Sequence, residues 1–110
     1  MTELTVDLQE DGDRSVLALT GELDLDSVGR LRERAQEQVT AGKAKVLVLD
    51  MSGLSFIDSS GLGLLIDLRR LAMGAGVAFE LRQVPPGPAR VIAIAGLTET
   101  FGIGSSEGDS

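Results

Sequence analysis

The 110 residues carry a formal net charge of −7 and include neither cysteine nor histidine. These absences exclude disulfides, thiolate nucleophiles, imidazole bases and Cys/His zinc sites. The acidic balance disfavours binding to nucleic acid or to an anionic membrane surface. A chain of this length with 43% hydrophobic residues is expected to form one domain. Because the N-terminus has no leader pattern and no apolar run is long enough for a membrane span, we expect a cytoplasmic protein.

The first two predicted elements form a β-hairpin. Apolar and polar residues alternate from Glu3 to Gln9, a turn-rich segment follows, and the β pattern resumes from Ser15 to Thr20. The next predicted element is a helix, which Asp24 or Asp26 would cap and Gly42 would end. Its apolar stripe consists of Val28, Leu31, Ala35 and Val39.

The centre of the chain is an apolar strand followed by a second helix. The strand from Lys45 to Asp50 lacks polar alternation, which indicates burial on both faces, and the preceding helix makes it parallel to the strand before it. A helix is predicted from Ser60 to Met73 and a fourth strand from Val77 to Val84. The sequence therefore predicts an α/β domain with a mixed four- to five-stranded sheet and helices mainly on one face.

A proline-rich segment precedes the last predicted element. Pro88 suits the first turn of a helix, although the following V-I-A-I-A run also fits a strand. As a helix, this element would bury Val91, Ile92 and Ala95. Leu97 to Ile103 should pack back on the core and complete a domain that we delimit to residues 1–103. We expect the Gly- and Ser-rich residues 104–110 to be disordered.

The turn between the central strand and the second helix carries the polar residues of most interest. Asp58, Ser59 and Ser60 follow the outlet of a buried strand, where a rigid support holds side chains at the surface. In a purely structural interpretation, one serine caps the helix and Asp58 forms an Asx turn. Because one cap needs only one hydroxyl, at least one serine is left without a structural role.

Catalysis at this turn is disfavoured by the residue types available. Without histidine, a serine nucleophile would depend on a carboxylate, or on Lys43 or Lys45 at the far end of the central strand. The sequence contains neither a P-loop nor a dinucleotide motif. Asp24, Asp26 and Asp58 could hold Mg²⁺, but helix capping accounts for the three aspartates equally well. We therefore expect a protein that is not an enzyme and has no cofactor or metal.

Ser59 is instead suited to being modified. The free N–H groups and the positive dipole end of a helix N-terminus tolerate a phosphate, so the fold would survive phosphorylation. The phosphate would add concentrated negative charge beside Asp58, and this charge would disrupt the contact with a docked partner. Gly61 and Gly63 would let a partner's backbone approach closely, and Leu62 is expected to face outward as an anchor.

The central segment resembles the signature of bacterial anti-sigma factor antagonists, small proteins of the STAS domain class. The resemblance rests on the run L-D-M-S-G-L-S-F-I-D-S-S-G-L-G-L-L from Leu49 to Leu65. Two further segments are similar to family motifs in matching order: T-G-E-L-D from Thr20 to Asp24, and A-G-L from Ala95 to Leu97 followed by Phe101. The family's last helix has no counterpart here, which leaves the oligomeric state open.

The resemblance implies a phosphorylation-controlled interaction. In the family, the serine after the aspartate is phosphorylated by a partner that is both serine kinase and anti-sigma factor, which makes Ser59 the acceptor and Ser60 the helix cap. The unphosphorylated antagonist binds that partner and releases a sigma factor; phosphorylation ends binding, and a phosphatase restores it. The residues expected to contact the partner are Asp58, Ser60, Gly61, Leu62, Gly63, Gly21, Glu22 and Asp24.

Two alternatives remain open at this point. A STAS-type scaffold or regulatory subunit, for example of a lipid or anion transport system, would keep the fold without modification of Ser59. Gene neighbourhood separates the two, since an adjacent anti-sigma kinase gene supports the antagonist and transporter genes support the scaffold. A nucleotide-binding module is the other alternative, which equilibrium dialysis with ATP and GTP would test.

Overall fold

The computed structural model describes residues 3–103, which form a four-stranded sheet and three helices. The elements are β1 (Thr5–Asp11), β2 (Arg14–Leu23), α1 (Val28–Ala41), β3 (Val46–Ile57), α2 (Ser59–Gly74), β4 (Ala78–Arg82) and α3 (Pro86–Ile94). The strand order is β1-β2-β3-β4, with β1 antiparallel to β2 and the other neighbours parallel. The predicted mixed α/β architecture is confirmed, and the expected disorder of residues 104–110 concerns a segment outside the described residues.

One hydrophobic core joins the sheet to the helices. Successive side chains of a strand point to opposite faces, and one face of β2 and β3 supplies large apolar residues to this core. Members of the core cluster include Leu17, Leu19, Leu47, Leu49 and Met51 from the strands, and Leu31, Leu64, Leu65 and Ile92 from the helices. Because all three helices contribute to the same cluster, they cover the same face of the sheet, as predicted. Among residues 3–103, no helix is long and apolar enough to cross a membrane.

The opposite face of the sheet carries polar side chains. Arg14 of β2 and Glu80 of β4 form a salt bridge at 2.9 Å, which crosses the intervening strand β3. Val48 of β3 is buried on this face outside the core cluster. The pair is largely exposed to water, so its contribution to stability is at most about 1 kcal/mol.

The central strand β3 reaches Ile57 rather than ending at Asp50. Its register against β2 shifts twice, because β3 contains an extra residue at two points. Each bulge interrupts the side-chain alternation, so the buried residues of the second half are Met51, Leu54 and Ile57. After Asp50 the sequence shows neither a continuous apolar run nor regular alternation, so the predicted strand ended too early.

The segment with the V-I-A-I-A run forms a helix, α3, and not the strand that its sequence also allowed. α3 begins at Pro86, so Pro88 lies in its first turn, and it buries Pro88 and Ile92. The prediction that Ala95 is buried is wrong, because Ala95 is exposed where the helix ends before Gly96, whose φ is 78°. After it, Phe101 packs on the core as predicted, with its ring centroid 6.3 Å from that of Phe79.

Candidate functional site at the start of α2

Asp58 caps α2 with its side chain. One carboxylate oxygen of Asp58, Oδ1, accepts a hydrogen bond from the Gly61 N–H at 3.1 Å, and the extended backbone of Asp58 is typical of an N-cap residue. The prediction that Ser60 caps the helix is therefore wrong. A carboxylate at this position also complements the positive end of the helix dipole, which a neutral hydroxyl does not.

The capping carboxylate leaves both serine hydroxyls unused. Within residues 3–103, neither Ser59 nor Ser60 makes a side-chain hydrogen bond, although Asp58 beside them does. Ser59 is the first residue of α2 and is exposed, whereas Ser60 is partly buried. The first backbone N–H groups of a helix have no intrahelical acceptor. Ser59 therefore combines an accessible hydroxyl with a backbone environment that favours an anion.

Gly61 lets the start of α2 lie directly against the end of β2. A Cβ at Gly61 would lie 2.7 Å from Ile57 Cγ1 and 2.8 Å from the carbonyl oxygen of Leu23. The same carbonyl accepts a hydrogen bond from the Asp58 N–H at 3.3 Å. Gly61 is buried, so the backbone that approaches it is the chain's own. Gly63 is exposed, and among residues 3–103 no atom outside its own stretch of helix backbone lies within 4 Å of an added Cβ.

The Gly-Glu-Leu-Asp segment lies beside this turn, as the resemblance implied. Glu22 and Leu23 at the end of β2 are register partners of Phe56 and Ile57 at the end of β3. Because the two strands are parallel, the residues that follow them emerge at the same edge of the sheet. Glu22 is partly buried, and its side chain shares the sheet face of Phe56.

Gly21 has a structural role that only glycine can fill. Its φ of 113° is rarely adopted by other residues, and an added Cβ would collide with the carbonyl oxygen of Glu3. The carbonyl oxygen of Gly21 accepts a hydrogen bond from the Ser55 hydroxyl at 3.0 Å. Gly21 is buried, so it shapes the strand end and offers a partner little surface of its own.

Asp24 and Ser27 hold the connection between β2 and α1 in one conformation. Asp24 Oδ1 accepts hydrogen bonds from the N–H groups of Asp26 at 3.1 Å and Ser27 at 3.2 Å. The Ser27 hydroxyl accepts from the Asp24 N–H at 3.0 Å and donates to the Glu22 carbonyl oxygen at 2.9 Å. Asp24 thus forms an Asx turn, and Ser27, not Asp24 or Asp26, is the N-cap residue of α1. Gly42 ends α1 in a left-handed conformation, as predicted.

Carboxylates dominate this edge of the sheet. Four of them follow or end the two parallel strands: Glu22, Asp24, Asp26 and Asp58. Neither residues 15–29 nor residues 46–68, which build this edge, contain lysine or arginine. Over residues 3–103, no three acidic side chains gather closely enough to hold a metal ion. The arrangement favours contact with a positively charged protein surface.

Two apolar side chains at this edge are exposed, although neither was predicted from the sequence to lie at the surface. Leu25 is 72% exposed and Phe56 is 47% exposed. Phe56 lies outside the core because the second bulge of β3, between Leu54 and Phe56, resets the side-chain alternation so that Ile57 and not Phe56 faces the core. Leu62, expected to face outward, is only partly exposed and packs against the core. The isolated leucine between two aspartates was the signal that could have revealed Leu25.

Comparison with known sequences identifies relatives over almost the whole described chain. The family model described as "Mlab, STAS domain" matches residues 6–103. The anti-sigma F factor antagonist of Lysinibacillus sphaericus is 35% identical over 71 residues, which cover 64% of this chain and 61% of that protein. The alignment thus spans less than two thirds of that relative's length.

Solved structures with the same fold include anti-sigma factor antagonists. One from Mycobacterium paratuberculosis has a TM-score of 0.80 and 27% identity, covering 90% of this chain and 83% of that one. SpoIIAA in its unphosphorylated form has a TM-score of 0.75 and 26% identity, covering 86% and 84%. The Bacillus cell fate determinant SpoIIAA in the phosphorylated form has a TM-score of 0.69 and 26% identity, covering 86% of each chain.

Proposed function

The chain belongs to the STAS domain family, and on that premise we propose that it is an anti-sigma factor antagonist switched by phosphorylation at Ser59. Unphosphorylated, it binds an anti-sigma factor with serine kinase activity and thereby releases a sigma factor. The observation that carries the proposal is the exposed Ser59 hydroxyl, which makes no hydrogen bond within residues 3–103 and stands at the start of α2. Relatives with this function, and a relative with both an unphosphorylated and a phosphorylated form, support it.

The fold is suited to carry a phosphate on Ser59. Phosphorylation adds a charge of about −1.5 to −2, which the unpaired N–H groups and the dipole of α2 stabilise. Within residues 3–103, the Ser59 side chain makes no hydrogen bond that modification would break. The domain should therefore stay folded in both forms, so that the switch acts on the surface alone.

The phosphate is expected to end binding through the partner's own nucleotide. In the transfer, the Ser59 Oγ forms a bond to the γ-phosphorus of ATP while the bond to the ADP oxygen breaks, and the hydroxyl proton passes to a base of the kinase. Ser59 must therefore dock close to the nucleotide phosphates. Phosphorylated Ser59 would bring a second negative group, beside Asp58, close to the negatively charged nucleotide phosphates of the kinase, and the two would repel each other. Binding would also require removal of strongly held water from the phosphate on Ser59.

The catalytic groups belong to the partners in this proposal. ATP and Mg²⁺ are held by the kinase, so the antagonist itself carries no cofactor. A phosphatase resets the switch, and the exposed position of Ser59 in the first turn of α2 leaves its ester accessible to one. We propose that this exchange takes place in the cytoplasm, where sigma factors meet RNA polymerase.

The experiment that tests the proposal is affinity capture with matched variants. Immobilised unphosphorylated protein, Ser59→Asp and Ser52→Asp are incubated with extract of the source cells, and the retained proteins are identified by mass spectrometry. Ser52 is another exposed serine, so its variant carries the same added charge elsewhere. We expect the wild type and Ser52→Asp to retain a serine kinase that also binds a sigma factor, and Ser59→Asp to lose it.

Transfer of phosphate is the second part of the same test. The retained kinase, supplied with ATP, should phosphorylate the wild type on Ser59 and should not phosphorylate Ser59→Ala. Retention of the same proteins by the wild type and Ser59→Asp, without phosphate transfer, would support the scaffold alternative and contradict the switch.

A further inference from the structure

Leu25 is the most exposed apolar side chain near the proposed switch. It is 72% exposed, whereas Leu62 beside Ser59 packs against the core. Leu25 lies two residues beyond Leu23, and Ser59 lies two residues beyond Ile57, the register partner of Leu23 in the neighbouring parallel strand. Both residues therefore emerge at the same edge of the sheet, and one docked surface can cover them together.

The turn that presents Leu25 is held by its own hydrogen bonds. Its flanking residues, Asp24 and Ser27, are joined by the Asp24 N–H to Ser27 hydroxyl bond at 3.0 Å and by the Ser27 N–H to Asp24 carbonyl bond at 3.0 Å. The Ser27 hydroxyl also donates to the Glu22 carbonyl oxygen. A side chain on an ordered turn loses less conformational entropy when a partner covers it, which is the property of an effective anchor.

The surrounding charge selects the kind of partner. Asp24 and Asp26 are the residues on either side of Leu25 in the sequence, and residues 15–29 contain no lysine or arginine. A second copy of this chain would bring the same negative charge to the contact, and an anionic membrane would repel it. A protein surface with an apolar pocket rimmed by lysine or arginine is complementary to this edge.

We propose that Leu25 is an apolar anchor that the anti-sigma factor accommodates in a pocket with a basic rim. This inference rests on the proposed function, because it assigns a second contact to the same partner. Leu25 supplies affinity that does not depend on the phosphorylation state of Ser59, and Ser59 supplies the switch. Phe56, which is 47% exposed on the adjoining strand end, extends the apolar part of this contact.

The test compares Leu25→Ser with a matched control, Ile94→Ser. Ile94 is 80% exposed and lies on α3, so the control removes an equally exposed apolar side chain from another surface. The binding partner is the purified kinase that the wild type retains and Ser59→Asp loses. We expect Leu25→Ser to weaken its binding about tenfold or more, as for an interface anchor, and Ile94→Ser to change it by less than about twofold.

Phosphorylation kinetics provide a readout that misfolding would not imitate. Because Leu25 contributes to binding and takes no part in the transfer of phosphate to Ser59, Leu25→Ser should raise the KM for the protein substrate about tenfold and leave kcat unchanged. Unchanged thermal unfolding of both variants would show that the fold is intact.

The possible outcomes separate this inference from the proposed function. If Ser59→Asp loses the kinase while Leu25→Ser and Ile94→Ser bind it as tightly as the wild type, the anchor is refuted and the switch stands. If the wild type retains no kinase, the proposed function fails and the anchor fails with it.

Discussion

The two strand-to-helix connections at the acidic edge of the sheet use their serines in opposite ways. Ser27, before α1, accepts a hydrogen bond from the Asp24 N–H and donates one to the Glu22 carbonyl oxygen. Ser59, at the start of α2, makes no side-chain hydrogen bond within the described range 3–103, because the carboxylate of Asp58 supplies the cap. One connection therefore uses its serine hydroxyl to hold the fold, whereas the other leaves its serine hydroxyl without a hydrogen bond in the described range.

The difference explains how a switch can be built into a small rigid domain. Modification of Ser27 would remove hydrogen bonds that order its turn, and the fold itself would change. Modification of Ser59 would change only the surface, since Asp58 and the packing of Gly61 hold the start of α2 independently.

Replacing Gly61 by alanine should disrupt the packing that joins the two connections. The added Cβ would lie under 3 Å from Ile57 Cγ1 and from the Leu23 carbonyl oxygen, and overpacking against backbone lowers the free energy of unfolding by about 3 kcal/mol. Urea unfolding monitored by circular dichroism measures the change. Gly63→Ala is the control: with open space around it, it should raise the free energy of unfolding by up to about 1 kcal/mol. Equal effects of the two substitutions would argue against the packing role of Gly61.

Removing each hydroxyl in turn should separate the structural serine from the free one. Ser27→Ala deletes a donor and an acceptor and should lower the free energy of unfolding by about 1.5 kcal/mol. Ser59→Ala should change it by less than about 0.5 kcal/mol, as for a surface residue without partners. Both values come from the same denaturant titrations. A loss of stability in Ser59→Ala as large as that in Ser27→Ala would show that the Ser59 hydroxyl has a structural partner after all.

Replacing the cap should test whether Asp58 alone holds the start of α2. Asp58→Ala removes the acceptor of the Gly61 N–H and should lower the free energy of unfolding by about 1 kcal/mol. Asp58→Asn keeps an oxygen acceptor and should lose less. If Asp58→Ala is as stable as the wild type, one of the serines can take over the cap, and Ser59 is not free in the sense proposed.

The sequence predicted the architecture because its main signals are local. Alternation in β1 and β2, the apolar stripe of α1 and the glycine that ends it are all set by neighbours along the chain. The junction between β3 and α2 was also predicted at Asp58, although Ser59, Ser60 and Gly61 form the first turn of α2 and not a separate turn. Its cap was assigned to the wrong residue, because aspartate and serine are equally good N-caps and only the three-dimensional structure selects one.

What the sequence could not reveal depends on contacts between distant segments. The bulges of β3 arise from its pairing with β2, and they decide that Phe56 is exposed while Ile57 is buried. The exposure of Leu25 likewise follows from how the β2–α1 turn leaves the sheet. The glycine at position 61 was interpreted as room for a partner, although its close neighbour, Leu23, lies 38 positions earlier in the same chain.

The proposed switch requires that Ser59, and no neighbouring serine, carries the phosphate. Phosphosite mass spectrometry on the protein recovered from its own cells, during growth and under stress, tests it most directly. We expect phosphate on Ser59 in one condition and its absence in the other, with Ser27 and Ser60 unmodified in both. Phosphate on Ser60 or Ser27, or a Ser59 that stays unmodified in every condition, would contradict it.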